Sequence, residues 1–267
     1  MNKKVMKKIK DLFTPNKHID RQTYMTMVVL QGISIFAIWI YLAPDLIPRP
    51  LGILQAWVKL ASTGGLIQDL YQSTKLCFNA LMIAIVTSLL IAYINVLPFF
   101  KPFGFVASKA RFLPMIGLSF VFTLLSSSGY GLKLDLLVFG MSVFIVESML
   151  RVVNSVTTVE YNHARTIFGS EWRVVYERVV LGKAHEMLSA VKQNFAIVWT
   201  MLTFAEGLVR SDGGVGAMML NENKHLQLDA VFAIQMSLFF MGILIDYLFG
   251  LIRRFAFPYA DLAIETK

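Results

Sequence analysis

The chain has 267 residues, a net charge of +8, 56% hydrophobic residues and a mean hydropathy of +0.62. That is more apolar than a water-soluble domain of this length usually is, and its single cysteine, Cys77, excludes a disulfide framework within the chain. The basic excess alone would fit a nucleic-acid binder, but its distribution along the chain argues for a membrane and against nucleic acid.

Residues 1–22 form a basic segment. Its start, MNKKVMKKIKDLF, spaces Val5, Met6, Ile9, Leu12 and Phe13 at roughly helical intervals. This is the pattern of a short helix on a membrane surface; a disordered basic tail is the alternative. Its apolar content is too sparse for a cleavable signal. Apolar runs then follow at 23–43, 76–97, 112–132, 134–153, 193–209 and 230–252. Runs of about 20 residues cross a hydrocarbon core about 30 Å thick. The fourth run carries Asp135 and Glu147, and the fifth is short and carries Glu206.

Between the first two runs, Pro44, Pro48 and Pro50 break the chain, and residues 51–60 predict a short interfacial helix ended by Gly64 and Gly65. Residues 98–111 read as a short basic loop. The tract Ser126-Ser127-Ser128-Gly129 reads as a turn before the fourth run, with a broken helix lining a cavity as the alternative. Counting segments alternately, 19 of the 25 Lys and Arg residues fall on the side of the N-terminus. That bias predicts cytoplasmic termini. The expected organisation is a cytoplasmic segment 1–22, a transmembrane domain 23–255 and a cytoplasmic tail 256–267.

The long polar stretch at 154–192 lies on the same predicted side. Thr157-x-x-Glu160 has capping-box spacing, so a helix starts near Thr158. Gly169 can end it in a left-handed conformation. Ser170 and Glu171 can cap a second short helix, with Trp172, Val175 and Val179 on one face. The expected result is two short helices around a glycine, a docking surface for a soluble partner or a hairpin covering the ends of two spans.

The chemistry of an enzyme is hard to find. No phosphate-cradling G-x-x-x-x-G-K-[ST] loop occurs. His18, His163, His185 and His225 form no metal-ligand spacing. No nucleophile–base pairing is legible. Glu206 and Asp246 are ionisable groups within apolar runs, which makes each a candidate for substrate contact or for structural pairing. Asn79, Thr87, Ser88 and Asn95 can hydrogen-bond between helices, and Ser126 belongs to the same set of polar candidates. Glu147 has Arg151 four residues on, as a helix-face ion pair requires. Residues 211–216, SDGGVG, read as a turn.

The loop at 160–182 resembles the cytoplasmic motif of permease subunits of ATP-binding-cassette importers: Glu-Ala-Ala, three residues, Gly, nine residues, Ile-x-Leu-Pro. Registered on Gly169, His163, Ala164 and Arg165 take the Glu-Ala-Ala positions, and Val179 to Gly182 take Ile-x-Leu-Pro. Ala164, Gly169 and Leu181 match and Val179 is conservative; the Glu and Pro are absent, with Glu160 one turn before His163. IPRPLGIL, FLPMIGL, FAEGLVRSDGGVG and GILIDYLFGLIRRF, in that order, are similar to the nitrate, sulfonate and taurine branch. LLSSSGYGLKLD departs from it.

The resemblance implies an all-α integral membrane protein of the type I importer permease fold, with about six transmembrane helices and a coupling-helix loop. It implies a bacterial inner-membrane transport subunit, not an enzyme, carrying a small anionic solute. Its partners would be an ATPase subunit holding ATP and Mg, a second permease copy and an extracytoplasmic binding protein. The chain itself would hold no cofactor. Glu160, His163, Ala164, Arg165, Gly169, Val179 and Leu181 would form the coupling loop. A secondary transporter working without an ATPase is the rival reading, and a membrane-embedded enzyme the weaker one.

Overall fold

A computed structural model of the protein describes Thr14, residues 20–42, Pro44 and residues 47–258. The expected surface helix within residues 1–13 lies outside the described residues, as does most of the expected tail. Among the described residues every regular element is helical. The chain divides into two units between Gln55 and Ala56, inside the second helix.

The first unit is dominated by α1 (Arg21–Leu42). No residue of its apolar window is buried. A helix apolar around its whole circumference, with no protein cover, has hydrocarbon as its natural solvent. Past its end, the Trp39 indole donates to the Pro48 carbonyl at 3.1 Å. The interfacial helix expected at 51–60 is α2 (Pro50–Ser62), with proline at its first position, where no backbone N–H is needed.

In the second unit the chain leaves α2 through Gly65, whose φ of 76° suits glycine, into α3 (Leu66–Ile94). Then come α4 (Lys101–Lys109), α5 (Met115–Leu125) and α6 (Gly129–Asn154). After the loop helices α7 (Thr158–Phe168) and α8 (Glu171–Val174) the chain enters α9 (Ala184–Leu208). It ends with α10 (Val215–Lys224) and α11 (Leu228–Ala256).

The most extensive packing is between α3 and α6. Ala80, Ala84, Ser88 and Ala92 repeat every fourth residue on the buried face of α3, and small side chains let helix backbones approach closely. The two helices run in the same direction: Asn79 donates to the Tyr130 hydroxyl at 3.0 Å, and further along Ser88 donates to the Ser142 carbonyl at 3.4 Å. Helix α9 runs the opposite way along α6, since Asn194 meets Ser148 while Lys133 reaches Gly213. Helix α11 returns along α9: the Trp199 indole donates to the Leu238 carbonyl, and Lys192 faces Asp246. The Trp57 indole, near the end of α2, donates to Ser237 on α11 at 2.9 Å.

Among the described residues, four helices are long and apolar enough to cross a membrane: α1, α3, α6 and α11. A fifth is added if the bent pair 98–112 and α5 is one span. Three sequence expectations change here. The stretch 98–111 is helical, not an open loop. The run 112–132 is not one helix; it breaks before α5 at Pro114 and after it at Ser126, and 129–132 already belong to α6. The fifth run lies in α9, which has the length of a span but carries Lys192, Gln193, Asn194 and Glu206, and is not among the four.

Candidate functional site

Two glycine-centred turns flank α9, one before it and one after. The first is the expected elbow. Thr157 Oγ1 accepts from the Glu160 N–H at 3.2 Å, and the Glu160 carboxylate accepts from the Thr157 N–H at 3.1 Å. The capping box thus satisfies two orphan donors at the start of α7, and it turns the Glu160 carboxylate onto its own helix. Gly169 ends α7 with φ 68°, and a Cβ there would stand in open space. Glycine is needed for backbone conformation alone. Ser170 occupies the next N-cap but makes no side-chain capping bond, contrary to expectation.

Across this elbow Glu171 joins both arms. It accepts from the Tyr161 hydroxyl at 2.5 Å and pairs with Arg165 Nε at 2.8 Å. The bond to that carboxylate pushes the Tyr161 hydroxyl above the usual phenol range. Both partners of the ion pair are largely exposed, so it holds geometry and adds little stability, about 0–1 kcal/mol.

The second arm is not the simple helix expected. After the single turn of α8, residues Val175–Leu181 form a π-helix. Its wider turn brings positions five apart onto one face, and the buried residues are Val174 and Val179. Trp172, expected on one face with Val175 and Val179, is 68% exposed, while Val175 packs against the core beside Val179. Gly182 stands where the resemblance to the importer motif would place a proline. Gly182 donates its N–H to the Glu177 carbonyl at 3.0 Å, a bond that proline, lacking an N–H, cannot make.

The motif residues therefore divide. Ala164 and Val179 are buried anchors, and Val179 belongs to the main apolar core. Glu160, His163, Arg165, Gly169 and Leu181 face outward. So do Ile167, Trp172 and Tyr176, which motif matching did not single out. Their only signal in the sequence is that they are large apolar residues in a polar stretch.

The second turn, after α9, is built around Glu206. Arg210, four residues on, donates from its Nε to the Gly207 carbonyl at 3.4 Å. Glu206 is 2% exposed and accepts from the Ser73 hydroxyl at 2.5 Å and from the Gly216 N–H at 2.8 Å. The Ser73 hydroxyl in turn accepts from the Val215 N–H at 3.0 Å. Lys133, expected in a connecting segment, is 3% exposed in α6 and donates to the Gly213 carbonyl at 2.8 Å. Gly213 and Gly214 have φ of 68° and 100°. A Cβ on Gly214 would stand 2.5 Å from Glu206 Oε1, and one on Gly216 would overlap the Thr203 carbonyl. A carboxylate, a hydroxyl and an ammonium thus fasten one glycine turn, and buried polar groups are satisfied in this way. A cavity of about 240 Å³ opens beside it, lined by Gln72, Lys75, Tyr130, Lys133, Glu206 and Asp212 among others.

The remaining candidates each have a partner. Asp246 pairs with Lys192 of α9 at 3.3 Å. Ser126 donates to Asp135 at 2.5 Å across the turn into α6. Glu147 takes the expected partner Arg151 at 2.7 Å, and also Arg111 at 3.0 Å. Among the described residues no cluster of His, Cys, Asp or Glu could hold a metal ion. No known family model matches the chain, and no curated protein matches it.

Proposed function

We propose that the chain is the membrane subunit of an ATP-driven importer of the binding-protein-dependent class, with the elbow at Gly169 as the docking element for a separate ATPase subunit. The observation that carries this reading is the division of labour within 158–182. One face is anchored in the core through Val179, and the other presents Ile167, Trp172 and Tyr176 to water. Large apolar side chains held outward on an elbow at one end of an apolar bundle call for a protein cleft.

Connectivity supports six crossings. Because α3 and α6 run in the same direction, the chain between them, through α4 and α5, has to return across the bundle. Helix α9 is antiparallel to α6 and spans about 37 Å at 1.5 Å per residue. With α1, α3, α6 and α11 this makes six crossings. The distribution of Lys and Arg favours a cytoplasmic side for the elbow and both termini, and on the importer reading the membrane is a bacterial inner membrane.

The mechanism needs no reacting group in this chain. ATP and Mg bind the partner subunit, and its closure moves the elbow. The π-turn leads through Gly182 and Lys183 into α9, whose far end carries Glu206 and the glycine turn fastened to α3 and α6. Displacement at one end is transmitted by a continuous helix to the other, biasing two packings of the bundle. A second copy completes the pathway, and an extracytoplasmic binding protein delivers a small anionic solute.

The test is a pull-down of the tagged chain from its native host, with a photo-crosslinking residue in place of Trp172. The expected result is an ATPase subunit carrying a phosphate-binding loop, cross-linked through position 172. Recovery of the chain alone as a stable oligomer overturns the proposal in favour of a secondary transporter.

A further inference from the structure

We infer that α4 and the turn that follows it form a docking surface for the headgroups of anionic phospholipids. This rests on the membrane reading above, but not on the ATPase partner. Residues 98–112 carry Lys101, Lys109 and Arg111, and no acidic residue occurs from 98 to 134. Phe99, Phe103, Phe105 and Phe112 are all exposed. The segment 98–112 is bent by 109° from α5. Where α5 lies along the bilayer normal, this segment lies close to the bilayer plane, with apolar rings and cations at the depth of the headgroups. Short helices that combine aromatic and basic residues bind such interfaces, more strongly where the lipid is anionic.

The cations are arranged for this. Lys109 Nζ stands 5.5 Å from the centre of the Phe105 ring, and the Arg111 guanidinium 5.1 Å from that of Phe112. Each charge is therefore beside a ring that would enter the acyl boundary. Behind them a cavity of about 400 Å³ lies between α4 and α6, lined by Asn95, Lys101, Ser108, Glu147, Arg151 and Asn154 among others. Glu147 is the carboxylate in this cavity, and Arg111 and Arg151 share it. Lys101 and Lys109 form no ion pair among the described residues. Positive charge is in excess, and a lipid phosphate is the complementary group. Gly104 brings α4 tightly onto the end of α3, since a Cβ there would overlap the Asn95 side chain.

The test is native mass spectrometry of the purified full chain, given equal phosphatidylglycerol and phosphatidylcholine. The expected wild-type result is preferential retention of phosphatidylglycerol, weakening as salt rises. Lys101→Gln/Lys109→Gln should lower apparent affinity for phosphatidylglycerol roughly ten- to thirty-fold and leave phosphatidylcholine unchanged. Lys101→Arg/Lys109→Arg should restore it, and Lys224→Gln, away from this surface, should have no effect. Equal retention of both lipids by the wild type overturns the inference, as does unchanged selectivity in the double Gln variant. A change of oligomeric state without a change of lipid selectivity also overturns it, and assigns this face to a second copy. The ATPase subunit is scored in the same preparations. Its recovery without lipid selectivity sinks this inference alone; lipid selectivity without the ATPase sinks the importer reading alone.

Discussion

Before α9 the chain turns through Gly169 in open space; after it, the chain turns through Gly213 and Gly214 against a buried carboxylate. Both turns use positive φ, yet different surroundings hold them. The elbow is kept in shape by an exposed ion pair and a tyrosine hydroxyl. The far turn is kept by Glu206, Ser73 and Lys133, all almost fully buried. Water screens the first set, so breaking it costs little. The second set has no water to fall back on, and breaking it leaves unpaired polar groups inside the bundle. The turn before α9 is thus loosely fastened and the turn after it firmly.

The sharpest test of that contrast is Glu206→Leu. It strands the Ser73 hydroxyl and the Gly216 N–H and removes the nearest countercharge of Lys133. A loss of about 3–5 kcal/mol is expected, visible as a large fall in melting temperature in detergent and in extractable protein. Unchanged melting would erase the distinction between the two turns. Gly216→Ala comes next. Its Cβ would overlap the Thr203 carbonyl and come within 2.9 Å of the Thr203 Cα and the Glu206 Cβ. None of these is the end of a flexible side chain, so overpacking should cost about 1–3 kcal/mol in the same melting assay.

At the elbow the effects on stability should be smaller and those on function larger. Gly169→Val meets no neighbour, so its cost is confined to a β-branched residue at positive φ, about 1–2 kcal/mol. The variant should still be extracted as a folded protein while ATP-dependent uptake by the reconstituted complex is lost. Gly169→Asn, which tolerates this conformation, should retain uptake. Normal transport by the valine variant would remove the elbow from the mechanism. Arg165→Glu should change stability least, by about 1 kcal/mol or less. It sets two carboxylates face to face beside Tyr161, so the arms should separate and ATPase co-purification should fall. Full recovery of the partner would mean that the outward apolar residues dock without the ion pair.

Much of the elbow was legible in the sequence because its determinants are local. The capping box spans four residues, and the left-handed position needs only a glycine at the end of the helix. What could not be read was the π-turn. Helical spacing of 3.6 puts Trp172, Val175 and Val179 on one face, whereas the wider turn buries Val174 and Val179 and releases Trp172 to water. A single extra residue in the turn changes which side chains a partner meets.

The apolar runs established by themselves that the chain has helices fit for a membrane, because hydrocarbon selects length and composition and both are written along the chain. The capped helix, the glycine elbow and the Glu147–Arg151 pair likewise follow from neighbours within a few positions. The partners of Glu206 and Lys133 do not. Ser73 is 133 positions from Glu206, and Lys133 is 80 from Gly213. Whether a lone charge in an apolar run faces lipid, a pathway or a fixed partner depends on which helices pack together. Only the parallel packing of α3 and α6, with α9 returning against them, decided that.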